Sequence, residues 1–165
     1  MAAAELSRAE RAQLAADGGN AAAVEELWLE ILGAGEAGAP KLPAVIDRLV
    51  TRRETDRAAM LAGMAVQALE ERGPLAAAFP LLVRLAKIAP GEPGLRDRIL
   101  KAAGAAFAAH PQGPALVQTL RLEGAAEPRA LATQVEAAVA FRPGDVVRHG
   151  GGWGIGRVLE VDAAR

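Results

Sequence analysis

The sequence has no cysteine and no tyrosine, and only 3% of its 165 residues are aromatic. The absence of cysteine excludes disulfide frameworks, thiolate zinc sites, iron–sulfur clusters and cysteine nucleophiles. Neither charge sign is in large excess, because the sequence has 19 basic and 20 acidic residues and a net charge of −1. Binding to phosphate backbones needs a basic excess on one face, so we predict no direct nucleic-acid binding.

The chain also lacks long apolar runs. No uncharged apolar segment approaches the roughly 18 to 20 residues that span a bilayer. Residues 1–10 show no basic stretch followed by an apolar core, which a secretory signal would have. We therefore expect a soluble, cytoplasmic protein without a membrane partner.

The sequence consists largely of alanine-rich segments that are separated by short breaks. Apolar residues make up 52% of the sequence, and many are alanine, the best helix former. Ser7 with Glu10 forms a capping-box pattern that starts a first helix, and Asn20 is a favourable N-cap for a second. On that second helix Trp28 lies in an apolar stripe and is expected in the core. Breaks at 17–20, 33–40, 73–74, 90–94 and 110–114 separate the predicted helices.

Two details of the helical part depend on single residues. Thr55 is predicted to cap a fourth helix, with Met60 on its inner face. Pro80 falls inside the helical pattern of 75–89, so either the helix begins there or it kinks. We favour a short turn followed by a helix over 80–89. Charged groups such as Arg52-Arg53-Glu54 are interpreted as solvated faces.

The predicted fold is mainly α. Helices joined by short breaks favour stacked antiparallel pairs, as in an α-solenoid or a tetratricopeptide- or HEAT-like bundle, although no clean repeat period is present. We assign residues 1–140 to this helical domain and residues 141–165 to a partial β element.

From residue 141 the pattern changes from helix to strand. Residues 145–149 form a β-branched strand candidate, 150–154 a glycine-rich loop, and 155–162 an alternating second strand. This predicts a short C-terminal β-hairpin. A lone hairpin is marginal in water, so it needs a further strand as partner.

Several catalytic or ligand-binding interpretations of this segment are disfavoured. The loop does not open a helix and lacks a Gly-Lys-Ser/Thr ending, so a nucleotide site is not expected. His149 has no cysteine and only His110 as a possible co-ligand, which favours a structural role, and we predict no metal and no cofactor. Trp153 suits either a binding anchor or a cover for the hairpin's own core, and the sequence does not separate these two roles.

The string Phe141-x-Pro143-Gly144-Asp145-x-Val147-x-His149, followed by Trp153-Gly154-x-Gly156-x-Val158, resembles the start of a Tudor- or SH3-like barrel. Similar barrels occur in CarD-family transcription regulators and in the polymerase-interacting domain of the transcription-repair coupling factor. N-terminally extended members of the Gre transcript-cleavage family place a similar string after a helical region, and the chain resembles this last group most.

The resemblance implies binding to RNA polymerase, whose β subunit such barrels engage. The matching positions, which are candidate partner-binding residues, are Val147, Arg148, His149, Trp153, Ile155, Gly156 and Arg157. Transcript cleavage is not implied, because the acidic-tipped coiled coil of Gre factors has no counterpart here. The barrel is also incomplete, so we expect the N-terminal portion of a longer protein or a truncated form.

The sequence thus predicts a non-enzymatic interaction module of a bacterial transcription elongation or regulation factor. The alternative is a generic helical scaffold that binds other proteins through its helical surface, with the hairpin as a linker.

Overall fold

The computed structural model describes residues 6–109, 113–123, 127–140, 146–149 and 154–157. These residues are mainly helical, as predicted. The helices are α1 (Arg8–Gly18), α2 (Ala21–Gly33), α3 (Leu42–Thr51), α4 (Thr55–Arg72), α5 (Phe79–Ile88), α6 (Leu95–Ala106), α7 (Gly113–Glu123) and α8 (Pro128–Ala140). A 3-10 turn, Leu75–Ala78, precedes α5, which confirms the favoured interpretation around Pro80.

The first two helices start at the capping residues predicted from the sequence. The Ser7 hydroxyl accepts a hydrogen bond from the N–H of Glu10, and the Glu10 carboxylate accepts one from the N–H of Ser7, which confirms the capping box. The Asn20 side chain accepts from the N–H of Ala23, as expected of an N-cap. Thr55 was the wrong prediction for α4, because the N-cap is Glu54 and its side chain makes no cap bond.

The helices stack as pairs in the first half of the body. α1 and α2 run antiparallel, since Arg8 at the start of α1 bonds Glu36 just beyond the end of α2 at 2.9 Å. α2 and α4 run in the same direction, because Glu25 contacts Arg57 and Trp28 contacts Leu61 further along both helices. Beyond consecutive pairs, contacts join α1 to α3, α2 to α4, α3 to α5, α5 to α8 and α6 to α8. A helical bundle built of such layers fits the predicted fold class.

The core is continuous and apolar. Trp28 has no exposed surface, as predicted, and its indole N–H donates to the carbonyl oxygen of Leu61 at 3.0 Å. Met60 was predicted to face inward but is 50% exposed. It precedes Leu61 by one residue, or about 100° of helix rotation, which turns it off the buried stripe. That stripe consists of Ala58, Leu61, Ala62, Ala65, Val66 and Leu69.

Three helices have C-terminal carbonyls that are bonded by arginines from other parts of the chain. Unpaired carbonyls and the negative end of the helix dipole make these ends favourable for a cation. The donor–acceptor pairs are Arg52 to the carbonyl of Asp17 in α1, Arg129 to that of Lys87 in α5, and Arg96 to those of Leu120 and Arg121 in α7. Each arginine therefore fixes one helix end against a segment distant in sequence.

Two short strands, β1 (Val146–His149) and β2 (Gly154–Arg157), pair antiparallel. The predicted hairpin over 141–162 is longer than these segments, and the remainder lies outside the described residues, as does His110. The partial barrel therefore stays a prediction. Within the described ranges, no helix combines the length and the hydropathy needed to cross a bilayer.

Candidate interaction surfaces

Six of the seven partner-binding residues predicted from sequence belong to the two strands. Trp153 is outside the described residues. The others are Val147, Arg148 and His149 on β1, and Ile155, Gly156 and Arg157 on β2. The structure therefore brings six of the seven predicted positions into one antiparallel pair.

The register of this pair divides the positions into two groups. Arg148 is opposite Ile155, and Val146 is opposite Arg157. Val147 is opposite Gly156, and His149 is opposite Gly154. Because directly paired residues belong to the same face of a ladder, both arginine positions share one face and both glycine positions share the other. Glycines in strands often mark a place where another backbone comes close.

A second surface lies on the helical body, where α2 meets the start of α4. An open cleft of about 450 Å³ is lined there by Glu25, Arg53, Glu54, Thr55, Asp56, Arg57 and Met60. The sequence did not predict this cleft: Arg53 and Glu54 were interpreted as part of a solvated face, Thr55 as a cap and Met60 as a core residue. Arg53 in this lining has a φ of 65° and occupies a helix-end position where glycine is usual.

The ion pairs of the cleft are centred on Arg57. Its guanidinium bonds the Glu25 carboxylate at 2.5 Å and also bonds Glu54, which lies three residues earlier. The hydrogen bonds to Glu25 and then to Glu54 raise the pKa of Arg57 above its usual value. These contacts join α2 to α4.

Two exposed apolar side chains lie along the line where α2 packs against α4. Leu29 is 58% exposed and Met60 is 50% exposed. Leu29 is one helical turn beyond Glu25, and Met60 is one turn beyond Arg57, so both lie on the same side of the ion pair. Apolar residues beside charged ones are a common composition for protein-binding surfaces.

A smaller hollow of about 120 Å³ lies between the end of α2 and the end of α4. Gly33, Gly35 and Gly73 line it together with Leu32, Leu69 and Arg72. No cluster of three or more potential metal ligands occurs within the described ranges.

Comparisons with protein-family models, curated proteins and solved structures find no match to this chain.

Proposed function

We propose that this chain is a non-enzymatic interaction module of a bacterial transcription elongation or regulation factor, and that its partner is RNA polymerase. The observation that carries this proposal is the string from Phe141 to Val158, with Pro143-Gly144-Asp145 and Trp153-Gly154-x-Gly156, which follows α8 directly. In the families that it resembles, this string opens a barrel that engages the polymerase β subunit.

The pairing of β1 with β2 supports the proposal, because such a barrel begins with antiparallel strands joined by a short loop. The glycines at 154 and 156 suit a tightly bent strand, and the β-branched positions 146, 147 and 155 are typical of strands. In this proposal the helical body is the element that carries the barrel, and the docking residues are those of β1, β2 and the loop between them.

Retention on immobilised RNA polymerase tests the proposal. We expect the intact chain to be retained, and Trp153→Ala and Arg157→Glu to weaken retention. Lys101→Glu is the matched control for charge reversal, because Lys101 on α6 is exposed and makes no hydrogen bond or ion pair with any described residue. Absence of retention of the intact chain would contradict the proposal, and so would equal losses in Arg157→Glu and Lys101→Glu.

The second candidate function is a helical scaffold that binds another protein through its own surface. The cleft at the start of α4, with Met60 and Leu29 exposed beside it, favours this candidate. Removal of residues 141–165 separates the two functions. Loss of polymerase retention in the shortened chain supports docking by the β element, whereas unchanged retention supports the scaffold.

A further inference from the structure

Helix α1 contributes no large side chain to the buried core. Its buried residues are three alanines, Ala9, Ala12 and Ala16. Leu14, the one large apolar residue of α1, is 57% exposed, and Leu6 just before the helix is 49% exposed. The buried residues of α3, a helix of similar length, are Leu42, Val45, Ile46 and Leu49. Because a buried methyl group stabilises much less than a buried leucine or isoleucine side chain, apolar contacts hold α1 more weakly than α3.

The charged residues of α1 divide by sign between its two neighbours. Both arginines pair with glutamates on or just after α2, and both acidic residues pair with basic residues on or just before α3. The pairs and their N–O distances are Arg8–Glu36 (2.9 Å), Arg11–Glu30 (3.3 Å), Glu10–Lys41 (3.0 Å) and Asp17–Arg48 (2.5 Å). The charges of α1 are therefore complementary to an acidic edge on one side and a basic edge on the other.

These ion pairs are open to solvent. The side chains that form them are between 34% and 53% exposed. A further contact, from Arg52 to the main-chain carbonyl of Asp17, also comes from an exposed side chain. Dissolved salt screens charges in such positions, whereas the burial of apolar groups does not depend on charge. The attachment of α1 should therefore weaken with ionic strength more than that of helices held by large apolar side chains.

Helix α1 covers the space between α2 and α3. The backbones of α2 and α3 do not approach each other, and both helices pack against α1 and against α4. Departure of α1 thus opens a groove with α2 and α3 as its walls and α4 as its floor. The inner face of α4 is apolar, and the rims of the groove carry Glu30 and Glu36 on one side and Lys41 and Arg48 on the other.

We propose that α1 is a strap over this groove, and that rising ionic strength releases it while α2–α8 remain folded. A helix of 11 residues is marginal in water without its packing, so the released segment loses its helical structure. The other helices keep a continuous core of large side chains, among them Trp28, Leu61 and Leu85. The strap controls access to an apolar surface of the helical body, and its release does not depend on polymerase docking.

Hydrogen–deuterium exchange of the full chain, followed for each helix by mass spectrometry, tests the proposal. Between about 0.1 M and about 1 M sodium chloride the screening length falls from about 10 Å to about 3 Å. We expect the amides of α1 to exchange about tenfold faster at the higher salt concentration. Those of α5, which buries Leu81, Leu82, Val83 and Leu85, should not become faster.

A charge exchange tests the ionic contact at low salt. Arg8→Glu repels Glu30 and Glu36, although a carboxylate suits the first turn of a helix. We expect α1 of this variant to exchange at about 0.1 M salt as fast as the parent does at about 1 M. Adding Glu36→Arg restores an ion pair of reversed polarity and should return the exchange of α1 to within about twofold of the parent rate.

Lys101→Glu is the matched control, because Lys101 is exposed on α6 and makes no hydrogen bond or ion pair with any described residue. This variant should leave the exchange of α1 unchanged.

Three results would overturn the proposal. The first is an exchange of α1 that does not respond to salt. The second is an equal acceleration of α1 and α5, which would mean that the whole body opens together. The third is a double variant, Arg8→Glu with Glu36→Arg, whose α1 exchanges as fast as that of Arg8→Glu alone.

Discussion

The indole N–H of Trp28 donates to the main-chain carbonyl of Leu61 at 3.0 Å, from a side chain with no exposed surface. This bond fixes α2 against α4 at the centre of the body. We expect Trp28→Phe to lower the free energy of unfolding by about 1–3 kcal/mol, because the variant loses the bond and leaves part of the indole volume empty.

Urea unfolding followed by circular dichroism measures this loss. Leu29→Ala is the neighbouring control, since Leu29 is 58% exposed and its truncation should change stability by no more than about 0.5 kcal/mol. Equal stability of the two variants would show that the Trp28 bond has no energetic role.

Gly19 and Gly35 have nearly the same backbone conformation but different surroundings. A Cβ on Gly19 would lie 2.5 Å from Nη1 of Arg52, whereas one on Gly35 would meet nothing within 4 Å. We expect Gly35→Ala to cost only the left-handed strain, about 1 kcal/mol. Gly19→Ala should cost about 1 kcal/mol more, because Arg52 must leave the carbonyl of Asp17.

A double-mutant cycle isolates the second contribution. In an Arg52→Ala background the contact with Arg52 is absent, so Gly19→Ala should cost no more than Gly35→Ala does in the parent. An undiminished penalty in that background would mean that the Gly19 effect does not act through Arg52.

Arg98 joins α6 to α4 and to the preceding turn. Its guanidinium bonds both oxygens of Glu70, at 2.9 and 3.1 Å, and Glu92 at 2.6 Å. Burial lowers the pKa of Arg98, but the bonds to Glu70 and Glu92 outweigh this effect and raise it overall. A lysine cannot make all three bonds, so Arg98→Lys should lose about 1 kcal/mol of stability.

Arg72→Lys is the control, because Arg72 is exposed and makes no ion pair or side-chain hydrogen bond with any described residue. Thermal melts at low and high salt compare the two variants. The loss in Arg98→Lys should exceed that in Arg72→Lys and should shrink at high salt as the ion pairs are screened. A loss of the same size in both variants would contradict the role given to Arg98.

Glu10 makes the stability of the helical body depend on pH in the acidic range. Bonds from the Ser7 N–H, then from Lys41 and the Ser7 hydroxyl, lower the pKa of Glu10 from 4.5 to about 2. A lowered folded-state pKa gives a stabilisation that is present above pH 4.5 and disappears as the pH falls to about 2.

We therefore expect Glu10→Gln to be less stable than the parent above pH 4.5, with a difference that narrows towards pH 2. Urea unfolding at a series of pH values in this window measures the difference. A gap between the two proteins that stays constant across the window would contradict the assigned pKa.

Sequence reasoning succeeded where the cause of a structure is local. The capping box of Ser7 and Glu10 and the Asn20 cap depend on neighbours within a few positions, so their patterns can be recognised without a fold. The same reasoning failed at Thr55. The turn after α3 places Arg53 in the left-handed region and leaves Glu54 as the residue before α4, whatever its capping preference.

The cleft could not be predicted, because it depends on how α2 and α4 lie together. Met60 is a typical core residue by composition, and only the packing of α4 shows that it faces outward. The bonds of Arg52, Arg96 and Arg129 to distant carbonyls have no sequence signature either. The β element remains a prediction beyond the pairing of Val146–His149 with Gly154–Arg157.

The arginines that close helix ends also bear on the order in which the chain folds as it leaves the ribosome. The bond from Arg52 to the carbonyl of Asp17 at the end of α1 can form once Arg52 has been synthesised, before the later helices exist. The end of α5 has to wait for Arg129, and Arg96 has to wait for the α7 carbonyls that it bonds. The first helical layers can therefore be completed during synthesis, whereas the later ones settle only when α8 has emerged.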